Sequence, residues 1–94
     1  AQQEGSMIFG LSIALLGEIN VKDGAVQQSN FHDFQVLRMP QCPKIKTYIV
    51  QSDAVPGGVG EPGVPPVAAS VANAIYHATG QRIRDLPISK HMKV

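Results

Sequence analysis

From Glu4 to about Glu18, apolar residues at Ile8, Leu11 and Leu15 keep helical spacing, while Met7, Phe9, Ile13, Ala14 and Leu16 fill most of the remaining circumference. This spacing predicts a helix, and a helix apolar nearly all round is one buried on several sides. Gly5 and Gly10 lie inside it, each costing about 1 kcal/mol relative to alanine, so both are candidate points of close backbone approach. Next, Ile19 to Lys22 and Ala25 to Gln28 flank Asp23-Gly24, the residue pair of a type I′ turn, and predict a β-hairpin. Ser29 to Pro43 shows neither helical nor strand periodicity. Lys44 to Gln51 alternates, with Ile45, Thr47 and Ile49 on one face and Lys46, Tyr48 and Val50 on the other, and predicts a strand rich in β-branched residues. A second helix follows Pro65-Pro66, with an apolar face of Val67, Val71, Ala74, Ile75 and Ala78 and with Gly80 as its stop signal. Gln81 to Ile88 reads as an extended tail that docks Leu86 and Ile88 and leaves Arg82 and Arg84 outside, and Ser89 to Val94 as a frayed end.

These elements predict an α+β fold over residues 1–94: two helices packed on a small, mainly antiparallel sheet, in a single domain or fragment. Between the predicted strand and the second helix lies the most unusual stretch, Gly57-Gly58-Val59-Gly60-Glu61-Pro62-Gly63-Val64-Pro65-Pro66. Its glycines let the main chain approach a ligand closely, and its prolines stiffen it and remove backbone donors. Glu61 is the only charged residue between Asp53 and His77, and Pro62 biases it towards an extended conformation. A solvent-facing turn is the plain reading of such a loop. The other is a lone carboxylate presented from a stiff hinge, which a covering protein surface would strip of water and suit to proton abstraction.

Composition narrows the field. Charged residues make up 16% of the chain, against about 25% in a typical soluble domain, which implies surface meant to be covered. A formal net charge of +1, with no basic run and no aromatic ladder, excludes a nucleic-acid-binding role. Cys42 is the single cysteine, so there is no internal disulfide and no thiolate metal cage. Met7 to Leu16 is too short for a membrane span, which needs roughly 20 apolar residues, and no basic segment precedes it to make a signal peptide. The chain enters its first helix without a capping residue, as though polypeptide preceded it.

Gly58-Val59-Gly60-Glu61-Pro62-Gly63 matches the dinucleotide pattern G-x-G-x-x-G, with Asp85 further on. The match is rejected, because Glu61 brings negative charge where a pyrophosphate would sit and the prolines remove donors it needs. His32, His77 and His91 form no metal-binding spacing, and none of Ser6, Ser12, Ser29, Ser52, Ser70 and Ser89 lies in a nucleophile elbow. His32-Asp33 could orient one another, although neighbours in a strand would point apart.

The order of segments carries a resemblance. Gln2-Gln3-Glu4-Gly5 leads into Phe9-Gly10-Leu11; Asn30-Phe31-His32-Asp33-Phe34 and Leu37-Arg38-Met39 follow; then come Gly57 to Gly63, Pro65-Pro66-Val67-Ala68 and Ala72-Asn73-Ala74-Ile75. From Gln2 to about Ile88 this resembles the C-terminal end of the molybdopterin-binding domain in the molybdenum hydroxylase (xanthine oxidase) family. The nearest branch is similar to the isoquinoline 1-oxidoreductase beta subunit and the aldehyde oxidoreductase large subunits, with xanthine dehydrogenase more distant.

The resemblance implies an oxidoreductase in which Glu61 is the general base that activates the nucleophile attacking a carbon of an aldehyde or nitrogen heterocycle. It implies that Gln2 lies near the pterin and that Gly58 and Gly60 let the loop approach the molybdopterin (Mo) cofactor of the complete enzyme. Family members are several times longer, so this chain by itself is expected to bind no cofactor and to be inactive. Its expected partners are the missing upstream part of the large subunit, another subunit, or further copies of itself. Cytoplasmic and periplasmic locations both stay open. The alternative is a non-catalytic oligomerising or binding module derived from the same family.

Overall fold

A helix, α1, spans Gln2–Leu16, and the rest of the chain is arranged around it. The computed structural model describes all of residues 1–94. Along α1, Ser6, Gly10 and Ala14 are the buried positions; spaced four apart, they form one shallow stripe of small side chains. A second helix, α2, spans Val67–Thr79 and turns Val67, Val71 and Ile75, with Ala68 and Ala72, partly out of solvent. The two helices pack against each other, and a short 3₁₀ turn at Ile88–Lys90 packs against α1.

Contact is closest where α2 begins. A Cβ on Gly10 would lie 2.9 Å from Val67 Cγ2 and 3.0 Å from the Val64 carbonyl oxygen. A methyl on Gly63 would overlap the Ser6 hydroxyl. Gly10 is therefore a point of close approach, as its position in the helix suggested. Gly5 is not, because it lies on the outward face of α1 with nothing within 4 Å of its missing side chain.

On another side of α1, the Ser12 hydroxyl accepts the Leu37 N–H at 2.9 Å, so the irregular segment around Leu37 docks against the helix and Leu37 is buried. The last turn of α1 is closed by Gly17, whose N–H donates to the Ser12 and Ile13 carbonyls. Gly80 ends α2 at φ 76° with its N–H on the Tyr76 carbonyl, the left-handed stop expected of a glycine.

The α+β reading holds: two helices accompany a small two-stranded antiparallel sheet. Strands β1 (Val21–Lys22) and β2 (Ala25–Val26) pair Val21 with Val26 and Lys22 with Ala25 around Asp23-Gly24. Both turn residues have positive φ, 51° and 77°, as a type I′ turn requires. The hairpin is exposed and touches neither helix.

Three expectations need correction. Lys44 to Gln51 is not a strand: it runs without a turn and without any backbone hydrogen bond, because no second strand lies beside it in this chain. In the tail, Ile83, Pro87 and Ile88 are buried, whereas Leu86 stays exposed; of the two residues expected to dock, only Ile88 does. The end is not frayed either, since the Ile88–Lys90 turn is held by a Lys90–Glu18 ion pair and by His91 Nε2 at 3.0 Å from an Asp85 carboxylate oxygen. Arg82 and Arg84 lie outside, and Arg82 covers the Tyr76 ring at 3.6 Å while donating to Asn73.

Around Asp33 the chain turns, so His32 and Asp33 approach each other, with His32 Nε2 at 3.4 Å from the carboxylate. Asp33 also accepts the N–H groups of Asn30 and Ser29 at 2.9 and 3.0 Å. The Asn30 hydrogen bond first, then those of Ser29 and the charge of His32, hold the carboxyl below its ordinary 3.8 against an opposing desolvation.

Much of the molecule is uncovered. Its accessible surface is 7368 Å², against about 5,200 Å² for a compact protein of this mass. Its radius of gyration is 15.8 Å, against about 12 Å expected for this length. No helix is long and apolar enough to cross a membrane.

Two measurements check this packing. Gly63→Ala should lower stability in urea by about 1–3 kcal/mol through overlap with Ser6, whereas Gly5→Ala should raise it by about 1 kcal/mol through helix propensity alone. Because the Asp33 carboxyl is depressed in the folded chain, its contribution is present above pH 3.8 and is lost as pH falls below it. Asp33→Asn should therefore flatten that acid limb and speed hydrogen exchange at the Ser29 and Asn30 amides at neutral pH.

Candidate functional site

Two tethers fix the loop around Glu61 to α1. In front, the Gln3 side chain donates from Nε2 to the Val59 carbonyl at 3.0 Å. Behind, Gly63 lies against Ser6 and the Val64 carbonyl lies over Gly10. Between them the Val64 N–H donates to the Glu61 carbonyl at 2.9 Å, and the Val67 N–H to the Val64 carbonyl at 3.3 Å, so one turn leads into the next and then into α2. Proline suits this lead, because the first amides of a helix have no carbonyl to bond within it.

Glu61 projects from this pinned turn. Its side chain is exposed and makes no hydrogen bond or ion pair with any other side chain or backbone group of the chain. It lines an open cleft of about 550 Å³ together with Gly58, Gly60, Pro62 and Pro65. Three of the four site residues expected from the sequence, Gly58, Gly60 and Glu61, thus share one cleft. The fourth, Gln2, is adjacent: its Oε1 lies 3.8 Å from where a Cβ on Gly60 would stand. A side chain on Gly58 would meet nothing within 4 Å, so its backbone is open to a ligand.

The chemical repertoire of this site is narrow. Glu61 can accept a proton, the Gln2 carboxamide can donate and accept hydrogen bonds, and the glycines allow close approach. No group of three or more His, Cys, Asp or Glu side chains converges in the chain. A dinucleotide has no site either, since coil and not a strand precedes the glycine run and Glu61 stands in the cleft.

Sequence reasoning missed Gln3 and Ser6 as the residues that hold the loop. The available signal was the spacing of Ser6, Gly10 and Ala14, a small residue at every fourth position of the helix.

No family model matches the chain. Among curated proteins it is 43% identical over 88 residues to the isoquinoline 1-oxidoreductase subunit beta of Brevundimonas diminuta, an alignment covering 94% of this chain and 11% of that protein. It is 36% identical over 98 residues to the aldehyde oxidoreductase molybdenum-binding subunit of Escherichia coli, covering 95% of this chain and 13% of that subunit. The putative xanthine dehydrogenase molybdenum-binding subunit of Escherichia coli is 36% identical over 95 residues, covering 94% and 13% respectively. The chain therefore spans about a ninth to an eighth of the length of the curated relatives it matches. Matched over nearly all its own length to molybdenum-binding and related oxidoreductase subunits, it belongs to the molybdenum hydroxylase family.

Proposed function

We propose that this chain is the C-terminal segment of the molybdopterin-binding domain of a hydroxylase acting on aldehydes or nitrogen heterocycles, with Glu61 as its general base. The observation that carries the reading is an unpartnered carboxylate, pinned before and behind by α1, at the edge of an open cleft. The substrate class follows the names of the relatives, which refer to isoquinoline, aldehyde and xanthine.

The residues present fit such a cofactor. Gly58 and Gly60 leave backbone uncovered at the cleft, and Gln2 offers a carboxamide at its margin. A molybdopterin bound here would supply the redox centre that takes up the substrate's two electrons. Glu61 removes the proton from the attacking nucleophile and holds it at a carboxylate oxygen, a role that suits an acceptor with no competing donor inside the chain. Pro62 keeps the next residue from donating to that carboxylate, and the Gln3 and Gly63 tethers limit its range of positions. The cleft is open to solvent, and polypeptide beyond this chain completes the site and excludes water.

In the assembled enzyme, Glu61→Gln should lower kcat by about 10²-fold or more while molybdenum and pterin content stay unchanged, because volume is kept and the base removed. Near-normal turnover would overturn the assignment, and a metal-free oligomer from the wild-type assembly would replace it with a binding module. Gln2→Ala should reduce pterin retention without altering the helical melting transition, since Gln2 is exposed and its side chain makes no hydrogen bond within the chain.

A further inference from the structure

The longest run without backbone pairing lies beside the candidate site. From Pro43 to Gly60 no residue makes a backbone-to-backbone hydrogen bond, and residues 44–51 make no hydrogen bond at all. Yet this segment has the alternation and β-branched content of a strand. Tyr48, Ile49 and Val50 are 84%, 83% and 86% exposed. A stretch with strand chemistry and a free row of N–H and C=O groups is a template for another strand.

We propose that Lys44–Gln51 is a docking strand that pairs with an extended segment of the polypeptide making up the remainder of the subunit. This names the partner surface of the site under Proposed function and rests on that reading. Its position supports it. A groove of about 820 Å³ runs between residues 46–49 and the first turns of α1, and its wall includes Gln2, Gln3 and Val59, which flank the Glu61 loop. A strand seated there arrives at the margin of the cleft that further polypeptide has to close.

Charge and length choose between occupants. Lys44 and Lys46 have no ion-pair partner in the chain, and residues 44–51 contain no acid. Self-pairing of two copies would leave all these lysines uncompensated, whereas a segment with carboxylates facing Lys44 and Lys46 and apolar residues facing Ile45 and Ile49 answers both. The Brevundimonas relative has ample further polypeptide from which to draw a partner, since this chain matches only 11% of it.

The test compares the free chain with a chimera in which this chain replaces its 88-residue match in that Brevundimonas subunit. Amide hydrogen exchange across residues 44–51 should slow at least 100-fold at alternate positions in the chimera, and Thr47→Pro should abolish the slowing. A second arm mixes the free chain with the Brevundimonas subunit lacking that match, so that failure of the chimera to fold does not decide the question. Exchange at free-chain rates in both arms overturns the proposal. So does protection already present in the free chain at a dimeric mass, which would make a second copy the occupant. Glu61→Gln in the same chimera should keep the protection, so loss of pairing and loss of the general base are read separately.

Discussion

Close approach between α1 and the start of α2 is the constraint on which the structure depends. It is possible because Ser6, Gly10 and Ala14 present almost no side-chain bulk on the buried face of α1, and because Gly63 has none at all. Val67 and the Val64 carbonyl occupy the space a larger residue at position 10 would take. The distance between the helices and the height of the Glu61 loop above α1 are thereby set by the same few atoms. Such contacts have little slack, because packed interiors lose energy steeply when atoms overlap.

That arrangement explains how a loop of glycines and prolines holds one conformation. Glycine widens the choices of the chain, and here the tethers at Val59 and Gly63 narrow them again, one by a side-chain hydrogen bond and one by steric fit. Glu61 lies between the two and lines an open cleft. The large exposed surface, the exposed Phe9 and Ile13 on α1 and the unpaired segment 44–51 have a common physical reading: apolar and backbone groups that this chain alone leaves in water. The Brevundimonas relative is about nine times longer than its match to this chain, and under the proposed reading the remainder of such a subunit covers this surface.

Features governed by neighbours in the chain were legible from the residues. Asp23-Gly24 takes positive φ because those residue types tolerate it, Gly80 stops α2 in the left-handed region, and α1 and α2 form close to the ranges their spacing predicts. The unusual character of the Glu61 loop and its likeness to molybdenum hydroxylases were also readable, since both reside in the order and type of residues. Features needing a distant partner were not. Lys44 to Gln51 carries strand periodicity but forms no strand, since a ladder requires a second backbone. Leu86, expected to dock, is exposed while Ile83 is buried, because the path of the tail, and not its alternation, decides which is covered. His32 and Asp33 meet because a turn at Asn30 brings them together where a strand would have parted them.

By itself, then, the amino-acid order determined local backbone conformation, helix extents to within about two residues, and the residue types gathered near Glu61. Tertiary structure decided which of the two glycines in α1 is a contact, that Gln3 and Ser6 hold the loop, and that Gln2 stands next to Gly60. The physical reason is range: propensity and turn chemistry act over a few neighbouring residues, whereas steric fit and side-chain tethers act between segments more than 50 positions apart, as from Gln3 to Val59.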